Sequence, residues 1–370
     1  MKESFSSLTD KRQQAQVRHE LYDVIAMTIA AVIGNCDGWD EIEDFCIGKE
    51  EWLKEHMGLK LEHGIPSEST FARIWSAIDP EAFKKCFSQW TNRIHEKVTG
   101  EVISIDGKTV RGSKSDTRNP IHMISAWVSE QQMVLGQRCV EEKTNEITTV
   151  PLLLKLLDIN GCIVTADAMS CQREITKAIV DGQGDYVLRL KENQPMLYEY
   201  AETYFTDAVE NPQWYPEMTS CETLEKGHGR IEKRTYYLSS NLSGFEATGD
   251  WAGLAGIGMV CSRVSIGDKE TVEMRYAITS LKDVGEFARA LRTHWSIENG
   301  LHYCLDISFN EDHSRIRKDN AAENLAVVRH FALSALKQIQ SPKRASIKRK
   351  RKICAYDLNL LASVLNVILS

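Results

Sequence analysis

The sequence predicts a mixed α/β protein preceded by a small all-helical domain and interrupted by a β-rich insertion. Three observations carry this expectation. Residues 17 to 95 space their apolar side chains as helices do; from residue 100 three strands are followed by alternating helix and strand; between 192 and 280 strands return without that alternation. Meandering strands followed by alternation imply a sheet with both antiparallel and parallel neighbours. The expected boundaries are a helical domain at 1–97, an α/β domain at 98–340 with the insertion at about 192–280, and a basic segment with a C-terminal helix at 341–370.

Taken in order, Asp23 to Ile33 (DVIAMTIAAVI) reads as a buried helix, and Trp39 to Phe45 sets apolar residues at i, i+3 and i+6 among acids. Gly64-Ile65-Pro66-Ser67 breaks the chain before a helix start at Ser67 to Phe71. Pro80 begins another helix that runs to about His95. Val102 to Ile105 is a strand ending in Asp106-Gly107; Ile121 to Val128 and Met133 to Val140 are strands joined by the polar turn Ser129 to Gln132. Next come a helix from about Ile147 to Leu157, a strand from Cys162 to Ala166 ending in Asp167, a helix from Gln172 to Asp181 and a strand from Tyr186 to Leu190. The insertion holds a short helix and strands Arg234 to Leu238, Gly258 to Val264 and Thr271 to Thr279. One helix is expected from about Val284 through Leu305 and another from about Asn320 to Ile339.

With 370 residues, 42% hydrophobic and 26% charged, the composition is that of a soluble chain of two or three domains. Ten cysteines without a C-x-x-C pair exclude a locally spaced zinc ribbon or thioredoxin site, and are expected to be mostly free, buried thiols of a reducing compartment. The polar start lacks a secretory signal, and the apolar runs Leu21 to Ile33 and Leu358 to Leu369 fall short of the ~20 residues a membrane span needs. A cytoplasmic protein without a membrane partner is expected. The net charge of −7 hides a polarity: Lys343 to Lys352 (KRASIKRKRK) holds seven positive charges and no negative one, so the remainder carries −14. Such a block fits either phosphate binding or a solvated loop between helices.

Asp106 and Asp167 each follow a short apolar strand and precede a small residue. Strand ends of an open α/β sheet project functional side chains into a crevice. Two carboxylates side by side repel, and a hard divalent cation such as Mg²⁺ relieves them while keeping positions for water and phosphate oxygens. His294, Glu298, His302 and Asp306 recur every four residues, which on one helix keeps all four within ~120° of one face. Neither H-E-x-x-H nor a set of paired Glu-x-x-His motifs is present, so zinc-hydrolase and ferritin-like sites are disfavoured. A phosphate-binding loop ending at Gly107-Lys108-Thr109 would need Gly where Val102 stands.

The strings IDGKTVRGS (105 to 113), EKTNEIT (142 to 148), VTADAMSCQREI (164 to 175), GDYVLRLKENQ (184 to 194), GHGRIEKR (227 to 234), HWSIENGLHYCLDISFNED (294 to 312) and RKDNAAENLAVVRH (317 to 330) resemble the ISAs-type, or H-repeat-associated, bacterial insertion-sequence transposases. GWDEIEDF and GIPSESTFARIW resemble the helical domain that precedes the catalytic domain in that group. The resemblance implies a ribonuclease-H-like catalytic core with a β-rich insertion before the last catalytic carboxylate. Carried over by motif, Asp106, Asp167 and Glu298 are the DDE triad that holds two Mg²⁺, with Mn²⁺ able to substitute.

The related signature Y-x₂-R-x₃-E-x₆-K is not met, since its other places hold Leu291, His294 and Leu305. His294 is expected in place of the arginine, and His302 near the reacting phosphate. DNA contacts are further expected from Lys108, Arg111 and Lys114 after the first aspartate, from His228 and Arg230 unless GHGR is a plain polar turn, and from Lys348, Arg349, Lys350, Arg351 and Lys352. The implied partners are the transposon ends and target DNA, bound by a homodimer in a synaptic complex at the nucleoid. The helical domain would serve either end recognition or packing, because its acidic stretch Asp37 to Asp44 disfavours DNA on that face.

Overall fold

The computed structural model describes residues 2–5, 8–12, 17–115, 118–140, 146–227, 229–245, 248–340 and 345–369. In chain order the elements are α1 (Lys2–Phe5), α2 (Leu21–Ile33), α3 (Trp39–Ile47), α4 (Glu50–Met57), α5 (Glu68–Ala77), α6 (Pro80–Ile94), β1 (Val102–Val110), β2 (Ile121–Val128), β3 (Met133–Val140), α7 (Glu146–Leu154), β4 (Ile163–Ala166), α8 (Arg173–Asp181), β5 (Asp185–Leu190), α9 (Pro195–Glu210), β6 (Met218–Gly227), β7 (Arg230–Ser239), β8 (Gly256–Ile266), β9 (Lys269–Thr279), α10 (Val284–His294), α11 (Tyr303–Ser308), α12 (Ala321–Gln338), α13 (Ile347–Tyr356) and α14 (Leu358–Leu369). The expected mixed α/β character is present. Among the described residues no single helix is long and apolar enough to cross a membrane, and the ten cysteines are free thiols, seven of them buried.

The chain forms two compact units, one of residues 1–96, 107–143 and 298–370, the other of residues 97–106 and 144–297. In the first unit α12 is buried on all its faces, as is nearly all of α2. Phe331 of α12 sits in an aromatic cluster, 4.6 Å from Phe87 and 4.7 Å from Trp90 between ring centroids. Buried polar ties fix the register of these helices: Thr91 donates to the Leu135 carbonyl of β3 (2.8 Å), Asn324 to the Trp75 carbonyl (3.0 Å), and Lys84 pairs with Glu323 at 2.7 Å. The helices of residues 2–94 thus share one core with α12.

In the second unit the strand order is β1-β4-β5-β9-β8-β7-β6. β1, β4 and β5 are parallel, and the remaining pairs are antiparallel. α10 covers one face, burying Phe287, Ala288 and Ala290 against Val102, Ile163, Val187, Tyr236 and Val260. Gly258 is what lets Phe287 lie flat on the sheet, because a Cβ there would stand 2.1 Å from the ring.

Several elements differ from the sequence reading. β1 does not end at Ile105 but runs on through Asp106 to Val110, its polar second half belonging to the first unit. β6 was absent from the reading because its residues lack apolar alternation; it is the sheet's last strand, paired only with β7 and almost wholly exposed. The helix expected from Val284 through Leu305 breaks after His294 and resumes through a π-helical turn at Glu298–His302. The basic block is read as a loop or phosphate segment; from Ile347 it forms α13, capped by Ser346, while Lys343 and Arg344 lie outside the described residues.

Candidate active site

Each short strand places its aspartate by register. β1 and β4 are parallel with Ile105 opposite Ala166, so Asp106 and Asp167 occupy the next positions on neighbouring strands, about 4.8 Å apart in backbone spacing. Asp106 lies within the continuing β1, while Asp167 follows the end of β4. Both belong to the second unit.

Asp167 is held by side chains from two further elements. Arg189 of β5 donates to its Oδ1 at 3.2 Å, and His294 of α10 brings Nε2 to 3.5 Å. The other imidazole nitrogen, Nδ1, lies 3.0 Å from the Thr165 hydroxyl, which itself donates to Ser104 at 3.2 Å. His294 is 5% exposed, so packing and these contacts together fix its ring. The hydrogen bond from His294, supported by the charges of His294, Arg189 and Lys191, overcomes partial burial and holds the Asp167 carboxyl at about 2. Asn193 donates to the Ala168 carbonyl (2.8 Å) and Gln194 to that of Cys171 (2.9 Å), tying down the loop that follows Asp167.

A pH dependence follows from this pairing. A folded-state value near 2 against an ordinary 3.8 means that the stabilisation Asp167 receives is present above about pH 4 and is lost as pH falls toward 2. His294→Leu is expected to lower stability at neutral pH by an amount that shrinks over that window, read by urea titration at successive pH values. A gap that stays constant down to pH 2 would assign the histidine's contribution to Thr165 instead.

The first unit holds Glu298 and a buried ion-pair cluster. Glu298 is exposed at the start of the π turn, whose Gly300 packs so closely on Trp127 that a Cβ would approach the ring to 2.8 Å. Lys108, with its side chain 10% exposed, reaches Asp306 at 2.7 Å, Glu311 at 3.0 Å and Asp312 at 3.3 Å. Arg329 adds a second cation 3.4 Å from Glu311. Burial would raise the Glu311 carboxyl, but Lys108 and Arg329 outweigh it and the net shift is downward. Burial likewise pushes His330 down to about 4.

This geometry corrects several expected DNA contacts. Lys108 is spent on three carboxylates inside the fold and is not presented at a cleft entrance. Lys350 is buried and donates to the carbonyls of Leu336 (2.8 Å) and Ile339 (2.5 Å). Arg351 is fully buried, bound to the carbonyls of Val32, Cys36 and Ser308 and to Asp37. Arg111, Lys114, Lys348, Arg349 and Lys352 are exposed; Arg230 is half-exposed and paired with Glu232. His302 is half-buried. His228 lies outside the described residues. The residues that sequence reasoning passed over are Arg189, Asn193 and Gln194, all within the string GDYVLRLKENQ that it had singled out without assigning them roles.

Among the described residues no three His, Cys, Asp or Glu side chains converge as a ready metal site. The donor chemistry of Asp106 and Asp167 nevertheless fits a hard divalent cation: two adjacent carboxylates, one kept ionised, supply oxygen ligands.

The family described as "Transposase DDE domain" matches residues 98–335, and one described as "DDE_Tnp_1-associated" matches residues 2–91. "Putative transposase YncI" of Escherichia coli O157:H7 is 42% identical over 97% of this chain and 93% of its own. "H repeat-associated putative transposase YhhI" of Escherichia coli K12 is 41% identical over 98% of this chain and 97% of its own. A chain from the piggyBac transposase synaptic complex with hairpin DNA covers 97% of this chain, and 76% of its own length is covered, at 10% identity and a TM-score of 0.43, too loose a likeness to carry an argument.

Proposed function

The chain belongs to the family of insertion-sequence transposases with a DDE domain, and from that premise we propose that it cleaves DNA at the ends of its own element and joins those ends to target DNA. The observation that carries this reading is the pair of strand-borne aspartates, Asp106 and Asp167, brought to adjacent positions inside the matched domain. The antiparallel pair β2–β3 in the first unit, and the parallel strands β1, β4 and β5 in the second, support a ribonuclease-H-like core.

In the proposed reaction a water oxygen bonds to phosphorus as the bond to the 3′ oxygen breaks, leaving a 3′-OH and a 5′-phosphate. The freed 3′-OH then attacks a target phosphodiester in the same way, displacing its 3′ oxygen. Two Mg²⁺ ions, or Mn²⁺, would supply activation of the attacking oxygen and stabilisation of the leaving one. Asp106 and Asp167 would hold them, with Glu298 as the third carboxylate by its place in HWSIEN. His294 and Arg189 keep Asp167 ionised and oriented, a positioning role. The DNA partners are the element's ends and the target, synapsed by a homodimer.

The deciding experiment supplies uncut and pre-cut end duplexes and a supercoiled target plasmid with Mg²⁺. Joined products are expected. Cleavage of uncut ends without joining would make the protein a nuclease, and binding alone a non-mobile relative. The exposed face of α13 offers a separate check: Lys348→Gln, Arg349→Gln and Lys352→Gln combined should flatten the dependence of log affinity on log salt by up to about 2.7, at roughly 0.9 per lost phosphate contact. An unchanged slope would remove α13 from the DNA interface.

A further inference from the structure

The amino-terminal helices carry a second concentration of positive charge. A cavity of about 600 Å³ in the first unit is lined by Arg12, Arg18, His19, Arg73 and the hydroxyl residues Ser67 and Thr70. Ser67 is the N-cap of α5 and makes no capping hydrogen bond with its side chain; its hydroxyl lies 3.1 Å from that of Thr70. The amide of Glu68 on the same turn already donates to Glu43 at 2.6 Å, so the case rests on the side chains and not on the helix terminus.

Arg12 is paired with Asp10. Asp10 accepts from its Nε at 2.8 Å and from its Nη2 at 2.5 Å, and the His19 carbonyl accepts from Nη2 at 2.9 Å, which fixes the guanidinium in place. Among the described residues Arg18 and Arg73 make no ion pair or side-chain hydrogen bond, and both are exposed on the cavity. Burial first, and then the neighbouring His63, Arg12 and Arg18, push His19 below its ordinary value. Guanidinium forks beside hydroxyls match the oxygens of a phosphate.

We propose that this cavity binds phosphate groups of the DNA backbone, which rests on the reading of the chain as a DNA transposase and gives the amino-terminal region its own DNA contact. The lining argues for a backbone phosphate over a free nucleotide. Among the described residues Ile74 is the one aliphatic residue that lines it, and no Phe, Tyr or Trp ring does, whereas small-ligand sites are lined largely by apolar and aromatic side chains. Contacts of this kind fix register on a duplex and carry no sequence information.

The test compares the full-length chain with the double variant Arg18→Gln/Arg73→Gln and with a control pair, Lys85→Gln/Lys155→Gln, at two exposed lysines elsewhere. Binding of a labelled duplex is followed by fluorescence anisotropy across salt concentration without divalent metal. The arginine pair is expected to weaken binding at least tenfold and to lower the log–log salt slope by about 1.8, with the control pair unaffected. An unchanged slope, or an equal fall in the control, overturns the proposal. Thermal stabilisation by ADP or inorganic phosphate that the arginine pair abolishes, with no change in salt slope, would assign the cavity to a free phosphate ligand and overturn it as well. If the unsubstituted chain binds no duplex at all, the DNA reading itself fails; binding that the arginine pair leaves intact removes only the cavity.

Discussion

Asp106→Ala, Asp167→Ala and Glu298→Ala are each expected to reduce metal-dependent cleavage of the element's end by at least about a thousandfold while leaving end binding within a factor of about two. A thousandfold loss corresponds to about 4 kcal/mol of transition-state stabilisation, the scale of charge neutralisation that metal ions supply at a transferring phosphoryl group. The three variants are expected to differ in folding. Glu298 is exposed, and among the described residues it makes no ion pair or side-chain hydrogen bond, so its loss should leave thermal unfolding unchanged. Removing the Asp167 carboxylate leaves Arg189 without its counter-charge and the buried His294 without its carboxylate partner, so this variant should also lose some stability. Asp167→Asn keeps the shape and separates the two effects: it should remain as inactive as the alanine variant. Full cleavage by any one variant would sink the assignment of that residue, and loss of end binding in all three would mean that the carboxylates serve the fold.

Where the chain pairs with apolar neighbours on both sides, the sequence announces its structure. β2 and β3 fall on the residues expected of them, and β4, α8 and β5 start or end within a residue or so of expectation, because each is a continuous apolar or amphipathic run bounded by polar turns. The failures share a different physics. β1 continues past Asp106-Gly107, a pair that reads as a turn, because Lys108 finds three carboxylates distant in sequence and Val110 packs with Ile121, Met123, Ala322 and Ala326. The four-residue spacing of His294, Glu298, His302 and Asp306 assumed one unbroken helix. Its break follows from packing: the Trp295 ring lies against the guanidinium groups of Arg275 (4.9 Å) and Arg234 (5.6 Å), and Gly300 is pressed onto Trp127. The two aspartates were legible as strand ends, whereas Arg189 was not, since a single arginine inside an apolar strand gives no sign of the carboxylate it will meet on the next one.

Arg351→Ala is expected to destabilise the fold by about 3–5 kcal/mol, the cost of breaking a buried ion pair by removing one partner, and not to act through DNA. Its guanidinium has no exposed surface and serves five partners at once: the carbonyls of Val32 (2.9 Å) and Cys36 (3.2 Å) at the end of α2, the Ser308 carbonyl, the Asp37 carboxylate (2.8 Å) and the face of the Phe309 ring, 4.2 Å away. A cation at that point also offsets the negative end of the α2 dipole. Alanine would strand these acceptors, and a lysine, with one ammonium in place of a planar fork, would recover only part of the set. Lys348→Gln on the same helix, exposed to solvent, should leave stability unchanged. Urea titration of the two variants separates the roles: Arg351→Ala should shift the midpoint and Lys348→Gln should not. Equal midpoints would return Arg351 to the surface charge of the basic block, and with it the simpler account in which every cation from Lys348 to Lys352 faces phosphate. A shifted midpoint for Arg351 alone would mean that the densest run of positive charge in this acidic chain is divided by helical spacing, part of it locking α13 to α2 and part left to meet DNA.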